Sequence, residues 1–400
     1  MRSNLLATAI AIGLGLAAVA PAHAADDTTS QLAAMRAQIA VLQAQVEELQ
    51  ARTDAQSEVN VTQAQAIEAA QATNTKADAL EKLVNNTKVS GRIFFDVSSL
   101  EQESDGTKVS NTGMGFDVKR FYVGIDHKFD DKWSANITTD FQYSSSVGAT
   151  EVFLKKAYLQ GKFSDAFTLR IGSADMPWIP FAESYSGYRY VENPLVDRLK
   201  FGNSADWGFH AGGTLGGGMF NYAASVVSGA GYKNPSRSKG MDFEGRIGFA
   251  PTPNTIIGIG AYSGKQGQES ESTDALHTAS RVDALVAYSS PKFRLGGEWF
   301  QAKNWSRELA IDPDKADGYS LWASAVVSKG GISVFGRYDN ADLSKDLNPS
   351  LQQKYYNIGV EFPIIKGFKL ATVYKHTDQD SDTTPNIKTN EFGVWGDVQW

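Results

Sequence analysis

The sequence predicts an all-β chain: a 16-stranded antiparallel transmembrane β-barrel preceded by an N-terminal α-helical coiled coil. Three observations carry this. Residues 31–84 place apolar residues at heptad spacing and contain neither glycine nor proline. From Lys88 to Trp400 the apolar period changes to two. After the first 24 residues no apolar run reaches the roughly 18 residues that a membrane-spanning helix needs. Lipid satisfies no backbone hydrogen bonds, so strands that span a bilayer must close into a barrel.

Residues 1–24 read as an export signal. Arg2 supplies the positive end, Leu5 to Ala20 the apolar stretch, and Ala22-His23-Ala24 a small-residue cleavage pattern. The mature chain is expected to begin at Ala25. The chain has no cysteine. That suits an exported protein and excludes disulfides, thiol catalysis, cysteine metal sites and lipid acylation at cysteine.

Residues 25–87 form the second segment. Leu32, Met35, Ile39, Leu42, Val46 and Leu49 step by alternating threes and fours, which is an a/d seam. Continued, the register puts Thr53, Asn60, Ile67 and Asn74 at a, and Gln56, Gln63, Ala70 and Ala77 at d. The seam turns polar halfway along, and such layers cost stability while fixing register or oligomer state. A lone amphipathic helix packed on something else is the plainer alternative. The strict repeat favours self-association.

Residues 88–400 form the barrel. Arg92, Phe94 and Asp96 alternate with Ile93, Phe95 and Val97, and the pattern recurs to the C-terminus. The predicted strands are 88–98, 115–128, 133–144, 151–163, 167–173, 206–216, 219–228, 240–250, 255–264, 279–289, 293–303, 317–328, 331–339, 354–363, 367–376 and 389–400. Tight turns such as Asp130-Asp131 and Lys366-Gly367 alternate with longer polar segments, as periplasmic turns alternate with extracellular loops. The longest segment is 174–205. A loop of that length inside a compact fold favours a functional role. An even strand count leaves both chain ends on the periplasmic side, which places the helical segment there. The last strand closes on Trp400.

Composition agrees. There are 37 Gly, 12 Pro and 44 aromatics (8 Trp, 15 Tyr, 21 Phe), which suits strands, tight turns and aromatic girdles. Net charge is −7, and residues 88–400 hold 36 acids and 33 bases. Nothing resembles a polybasic nucleic-acid binder. The five histidines are scattered, and no nucleophile elbow or zinc-binding His pair occurs. The run Gly212–Gly218 lacks the Lys-Ser/Thr ending of a phosphate loop. No enzyme, cofactor or metal site is expected.

Three stretches resemble the phosphate-selective porin O/P family. They are Gly91-Arg92-Ile93-Phe94-Phe95-Asp96, then Asp117–Ile125, then Leu154–Phe163 followed by Leu169-Arg170-Ile171-Gly172 and Pro177. The resemblance is clear over about 110 residues from Lys88. It implies a homotrimeric outer-membrane porin, surrounded by lipid, whose third loop folds into the pore. It also implies that Arg189 is the loop arginine facing the pore.

Strand phase gives nine bases and nine acids facing the lumen, which is no obvious anion filter. The expected anion path uses Arg92, Arg120, Lys156 and Arg170 from the wall with Arg189 and Arg198 from the loop. The plainer reading pairs Arg189 and Arg198 with Glu183, Glu192 and Asp197. The loop aromatics Trp178, Tyr185, Tyr188 and Tyr190 admit a sugar-stacking channel as the rival, or simple loop packing. Small anions such as phosphate are the expected solute. A further alternative makes the coiled coil a tether to peptidoglycan, with pore activity secondary.

Overall fold

The helical period gives way to strand at Thr87. The computed structural model describes residues 27–110, 112–144 and 149–400. The expected export signal lies outside the described residues. The chain forms two compact units, one ending at Glu81 and one spanning Lys82–Trp400.

The first unit is helix α1, Asp27–Asn86, 60 residues without a break. At about 1.5 Å per residue it is roughly 90 Å long. Residues that would break it are absent from 31–84. Glu48 and Arg52 pair across one turn at 2.6 Å. Gln56 Nε2 donates to Asn60 Oδ1 at 3.1 Å, so two successive polar layers of the seam touch along the same helix. The apolar seam from Leu32 to Leu49 is between 54 and 62% exposed. The single chain therefore shows the helix and its seam, and a coiled coil requires further copies.

The second unit is the barrel. Its strands are β1 Thr87–Ser104, β2 Gly113–Lys128, β3 Trp133–Ser144, β4 Ala149–Ser164, β5 Phe167–Asp175, β6 Ala205–Leu215, β7 Phe220–Val227 and β8 Asp242–Thr252. They continue with β9 Thr255–Gly264, β10 Ala279–Ser289, β11 Phe293–Lys303, β12 Lys315–Val326, β13 Ser333–Asp342, β14 Gln352–Ile365, β15 Phe368–Asp380 and β16 Ile387–Gln399. All sixteen expected strands are present. Most differ from expectation by no more than two residues at either end. Strand β1 runs six residues further than expected. There the chain turns on Asp105-Gly106, and the two-residue strand Thr107–Lys108 pairs back onto Glu103 and Ser104. Strand β15 likewise runs four residues further, paired with β14 and β16.

Each strand pairs antiparallel with its sequence neighbours, and β1 pairs with β16 from Arg92↔Gln399 to Ser104↔Ile387, which closes the sheet. Closure removes the free edge that lipid could not satisfy. Outward residues such as Ile247, Ile259, Val282, Leu321 and Ile358 are more than half exposed, as a lipid-facing surface requires. At the seam Trp400 exchanges backbone hydrogen bonds with Gly91 at 3.1 and 3.2 Å. A Cβ on residue 91 would lie 2.0 Å from the Trp400 ring, so only glycine admits the terminal indole there.

Three register shifts lie beside tight turns, and two interrupt the alternation in the body of the strands. Phe94 faces Arg120 but Phe95 faces Val118, which leaves Lys119 as an extra residue in β2. Thr138 faces Lys156 but Thr139 faces Leu154, which leaves Lys155 extra in β4. These are β-bulges, where two residues oppose one.

The barrel's largest apolar core lies inside it. The loop between β5 and β6 carries helices α2 Ile179–Ser186 and α3 Leu195–Arg198. From this loop Trp178, Ile179, Phe181, Ala182, Leu195 and Val196 pack on Ile256, Leu285, Phe300 and Trp322 of the wall. The longest predicted loop is thus folded into the lumen against strands β9–β12.

Candidate functional site

The loop seats where the wall has no side chains. Gly258 and Gly260 face inward from β9. A Cβ on either would lie 2.4 Å from Phe181 and 2.6 Å from Trp178, respectively. Both aromatic rings occupy the space these glycines leave. The Trp178 backbone N–H donates to Glu244 Oε1 at 2.7 Å, and its indole N–H donates to Glu298 Oε1 at 2.8 Å. The Arg246 guanidinium donates to the Pro177 carbonyl at 3.0 Å. At the far end Arg198 binds Asp339 at 2.9 Å and Gln353 at 2.6 Å. Arg337 binds the same Asp339 at 2.7 Å and the Asn193 carbonyl.

Seating the loop alters the charge balance of the lumen. Glu244, Asp283, Glu298 and Asp339 all become 3% exposed or less. Arg281 lies among them, bound to Asp283 at 2.9 Å and Glu244 at 3.1 Å. Glu244, Glu298 and Asp339 are therefore committed to holding the loop, while Asp283 holds Arg281, which donates to the Phe201 carbonyl.

The opposite wall stays basic. Because of the two bulges, Lys119 with Arg120 and Lys155 with Lys156 face inward as adjacent pairs. Lys119 Nζ donates to the Val191 carbonyl at 2.7 Å. Lys155 Nζ sits 4.8 Å above the Tyr122 ring. Lys156 pairs with Asp175 at 2.5 Å. Arg92 is bidentate on Asp397, both distances 2.9 Å. Lys369 pairs with Glu361 at 3.1 Å, and Lys375 with Glu391 at 3.2 Å.

Between the loop and this wall lies a cavity of about 460 Å³. It is lined by six basic residues, Arg92, Lys155, Lys156, Arg189, Arg294 and Lys369, and two acidic ones, Asp175 and Glu183. Among the described residues, neither Lys155 nor Arg294 has a carboxylate within ion-pair distance. The Arg294 guanidinium lies against Gly187 of the loop. A second space of about 180 Å³ continues past Tyr188, Arg294 and Lys369 to the Ser290–Lys292 turn.

Of the residues expected on the path, Arg92, Lys156 and Arg189 line this cavity. Arg189 is 7% exposed and also holds the loop, through Glu183 at 3.4 Å, Asp197 at 3.7 Å and Asn193. Arg120 binds Asp140 at 2.9 Å, outside the cavity lining. Arg170 binds Gln160 at 2.8 Å and covers the Tyr158 ring. Arg198 is taken up by Asp339 and Gln353 of the wall, not by the loop acids Glu183, Glu192 and Asp197 that the plainer reading gave it.

The loop aromatics are mostly spent on packing. Trp178 is fully buried. Tyr185 lies edge-on to Phe181. Tyr188 stacks on Phe335 at 3.9 Å. Tyr190 is 1% exposed and donates its hydroxyl to Glu361 at 2.6 Å. The open stacking faces that a sugar path needs are taken. Glu192 sits opposite Lys375 at 3.7 Å. Burial would raise its carboxyl, but Lys119, Lys375 and Arg198 outweigh burial and hold it at about 2.

Lys119, Lys155, Lys369 and Lys375 were not expected on the path. The sequence does hold a signal for the first two. Outward residues are even-numbered at Met114, Phe116 and Val118 and odd-numbered at Phe121, Val123 and Ile125. The same switch occurs between Val152, Leu154 and Ala157, Leu159. A change of parity across two adjacent bases marks a bulge, because a lysine facing lipid is costly.

Residues 87–278 match the family model described as phosphate-selective porin O and P. Over those residues, just under half of the chain, the sequence is similar to that porin family. Solved porin structures share its fold at low identity. The outer-membrane channel DcaP of Acinetobacter baumannii matches with TM-score 0.57 and 12% identity over 78% of this chain and 97% of that one. An anion-selective porin from Comamonas acidovorans matches with TM-score 0.53 and 12% identity over 78% and 99%. OmpT of Vibrio cholerae, in a trimer form, matches with TM-score 0.52 and 10% identity over 78% and 99%. No curated protein matches the sequence.

Proposed function

We propose that this porin is a passive channel that prefers small anions, phosphate among them. One observation carries the reading: the loop covers the acidic wall and leaves the open cavity with six bases against two acids. Selectivity follows the field at the narrow section rather than the lumen's total charge. That is why a balanced count of lumen charges misleads. Reversal potentials across a planar bilayer in a KCl gradient test it, and anion preference is expected. Cation preference in the wild-type pore would overturn the reading. Phosphate is tested separately, by its block of the chloride current.

The assembly reading is a homotrimer clamped on the periplasmic side by α1. Its support is the uncovered apolar seam from Leu32 to Leu49. The trimer form of the structurally similar OmpT points the same way. The mass of the detergent-extracted full chain tests it, with three copies expected.

A further inference from the structure

Three residues line both the 460 Å³ cavity and the 180 Å³ space beyond it: Tyr188, Arg294 and Lys369. They form the neck between the two. Two of the three are occupied. Tyr188 stacks on Phe335 at 3.9 Å, with its hydroxyl 3.3 Å from Ser333 Oγ. Lys369 faces Glu361 at 3.1 Å and Asp397 at 3.9 Å, and its ammonium lies 5.2 Å from the Tyr190 ring. Arg294 is different. Among the described residues its guanidinium has neither a carboxylate in ion-pair range nor a hydrogen-bond acceptor.

The fold nevertheless places this side chain firmly. Arg294 lies between Ser289 of β10 and Ser324 of β12, on the inward face of β11 that also carries Glu298 and Phe300. Its guanidinium reaches the third loop at Gly187. A Cβ on residue 187 would collide with Arg294 Nη1, so the guanidinium rests directly on the loop backbone. Gly187 has φ 71°, a left-handed value that glycine adopts without strain, and its N–H closes α2 on the Glu183 carbonyl at 3.1 Å. The cation thus sits at the C-terminal end of α2, where the helix dipole favours positive charge. It is held there without spending a donor. A guanidinium carries five N–H donors in a planar fork, which matches two oxygens of one carboxylate or phosphate. A halide is a single centre and gains nothing from that shape. The lysines of the cavity act as point charges.

We propose that Arg294 is a specificity-determining residue at the inner exit of the cavity, where its fork takes an oxyanion, carboxylate or phosphate, in preference to a halide. The proposal rests on the anion preference above and adds a chemical class to it. Short turns face the periplasm, and the second space runs to the Ser290–Lys292 turn, so the neck is the periplasmic exit of the cavity. Charge at the cavity selects anions over cations, and the fork at the neck then sorts among anions of equal charge.

The test is Arg294→Lys in the full-length protein, inserted in one orientation in a planar bilayer bathed in KCl. Inorganic phosphate or acetate is added on the periplasmic side, and the concentration of each that halves the chloride current is read. In Arg294→Lys that concentration should rise about tenfold, the worth of one charge-assisted hydrogen bond. The reversal potential in a KCl gradient should stay at the wild-type value, because the charge is kept. Arg294→Gln should raise the halving concentration at least as far. Lys329→Gln, which removes an exposed base on the β12–β13 turn outside both spaces, should leave it unchanged. A rise for both probes supports a fork that reads the shared pair of oxygens. A rise for one probe alone supports the same fork and assigns it to phosphate or to carboxylate. Wild-type sensitivity in Arg294→Lys, with an anion-selective wild type, overturns this inference and leaves the anion preference standing. A wild-type pore that neither probe blocks does the same. An equal rise in Lys329→Gln also overturns it, because charge near the exit would then suffice. A cation-selective wild type removes both.

Discussion

Replacing Trp178 tests whether the third loop sets the pore. The ring is fully buried, and its indole N–H is the donor that Glu298 Oε1 receives. Among the described residues, Glu298 Oε2 is buried without a hydrogen bond, so Glu298 depends on Trp178. Trp178→Phe keeps most of the ring and removes that donor. Leaving a buried acceptor unsatisfied costs about 1–3 kcal/mol. That weakens docking of the loop roughly 5- to 150-fold. Trp178→Ala adds the loss of the ring, about 3–5 kcal/mol, for a total of about 4–8 kcal/mol. The first half of the loop would then hang on the Trp178 N–H bond to Glu244, the Arg246 bond to the Pro177 carbonyl and the Phe181 ring over Gly258, so it should leave the wall more often. Freed acids at Glu244 and Glu298 would then face the open pore. Single-channel recording should show higher conductance, more current noise and weaker anion preference in Trp178→Ala, with Trp178→Phe between it and wild type. The wall should still close, because its strand pairing does not involve Trp178. Wild-type conductance and selectivity in Trp178→Ala would refute the claim that this hook holds the loop.

Three further outcomes are expected. Lys155→Gln removes a cavity cation without an acidic partner, so anion preference should fall by about twofold at low salt and recover in Lys155→Arg; a reversal potential identical to wild type would contradict its place on the path. Glu192 has a folded value of about 2, below the ordinary 4.5, so its support of the loop is complete above about pH 4.5 and is lost as pH falls through 2. Current noise should therefore stay flat from pH 7 to 4.5 and rise below it, and Glu192→Gln should be noisy at pH 7 already. Deleting residues 31–84 should leave single-barrel conductance intact while lowering trimer stability on heating; unchanged trimer melting would count against the clamp.

The strands were legible because each has two distinct solvents. Lipid demands Ile259, Val282 and Ile358 on one face and the lumen tolerates charge on the other, so period two survives in the sequence. Strand ends were less legible. Apart from Leu100, residues 99–104 of β1 are polar, and pairing with β16, with the start of β2 and with Thr107–Lys108 keeps them extended. Loop residues could be located but not assigned, because the fate of Arg189 and Arg198 depends on partners far along the chain, such as Asp339. The buried acids of β8–β13 looked like pore lining for the same reason. Their cover comes from a loop about 40 to 165 residues earlier in sequence. Lys369 and Lys375 lie on the same face as Ala371 and Val373, and only the register of β15 shows it. A partner for the helical seam cannot be read from one chain at all.

The two bulges also constrain how this pore can change over generations. Lys119 can be exchanged for another side chain at the cost of one charge. Removing the position itself would restore strict alternation through β2, with Met114, Phe116, Val118, Phe121, Val123 and Ile125 all still facing lipid. Position 155 is the same, between Val152 and Leu154 on one side and Ala157 and Leu159 on the other. Each extra base is thus a one-residue insertion that the wall takes up without turning any lipid-facing side chain, whereas an insertion with no bulge to absorb it turns half a strand inside out.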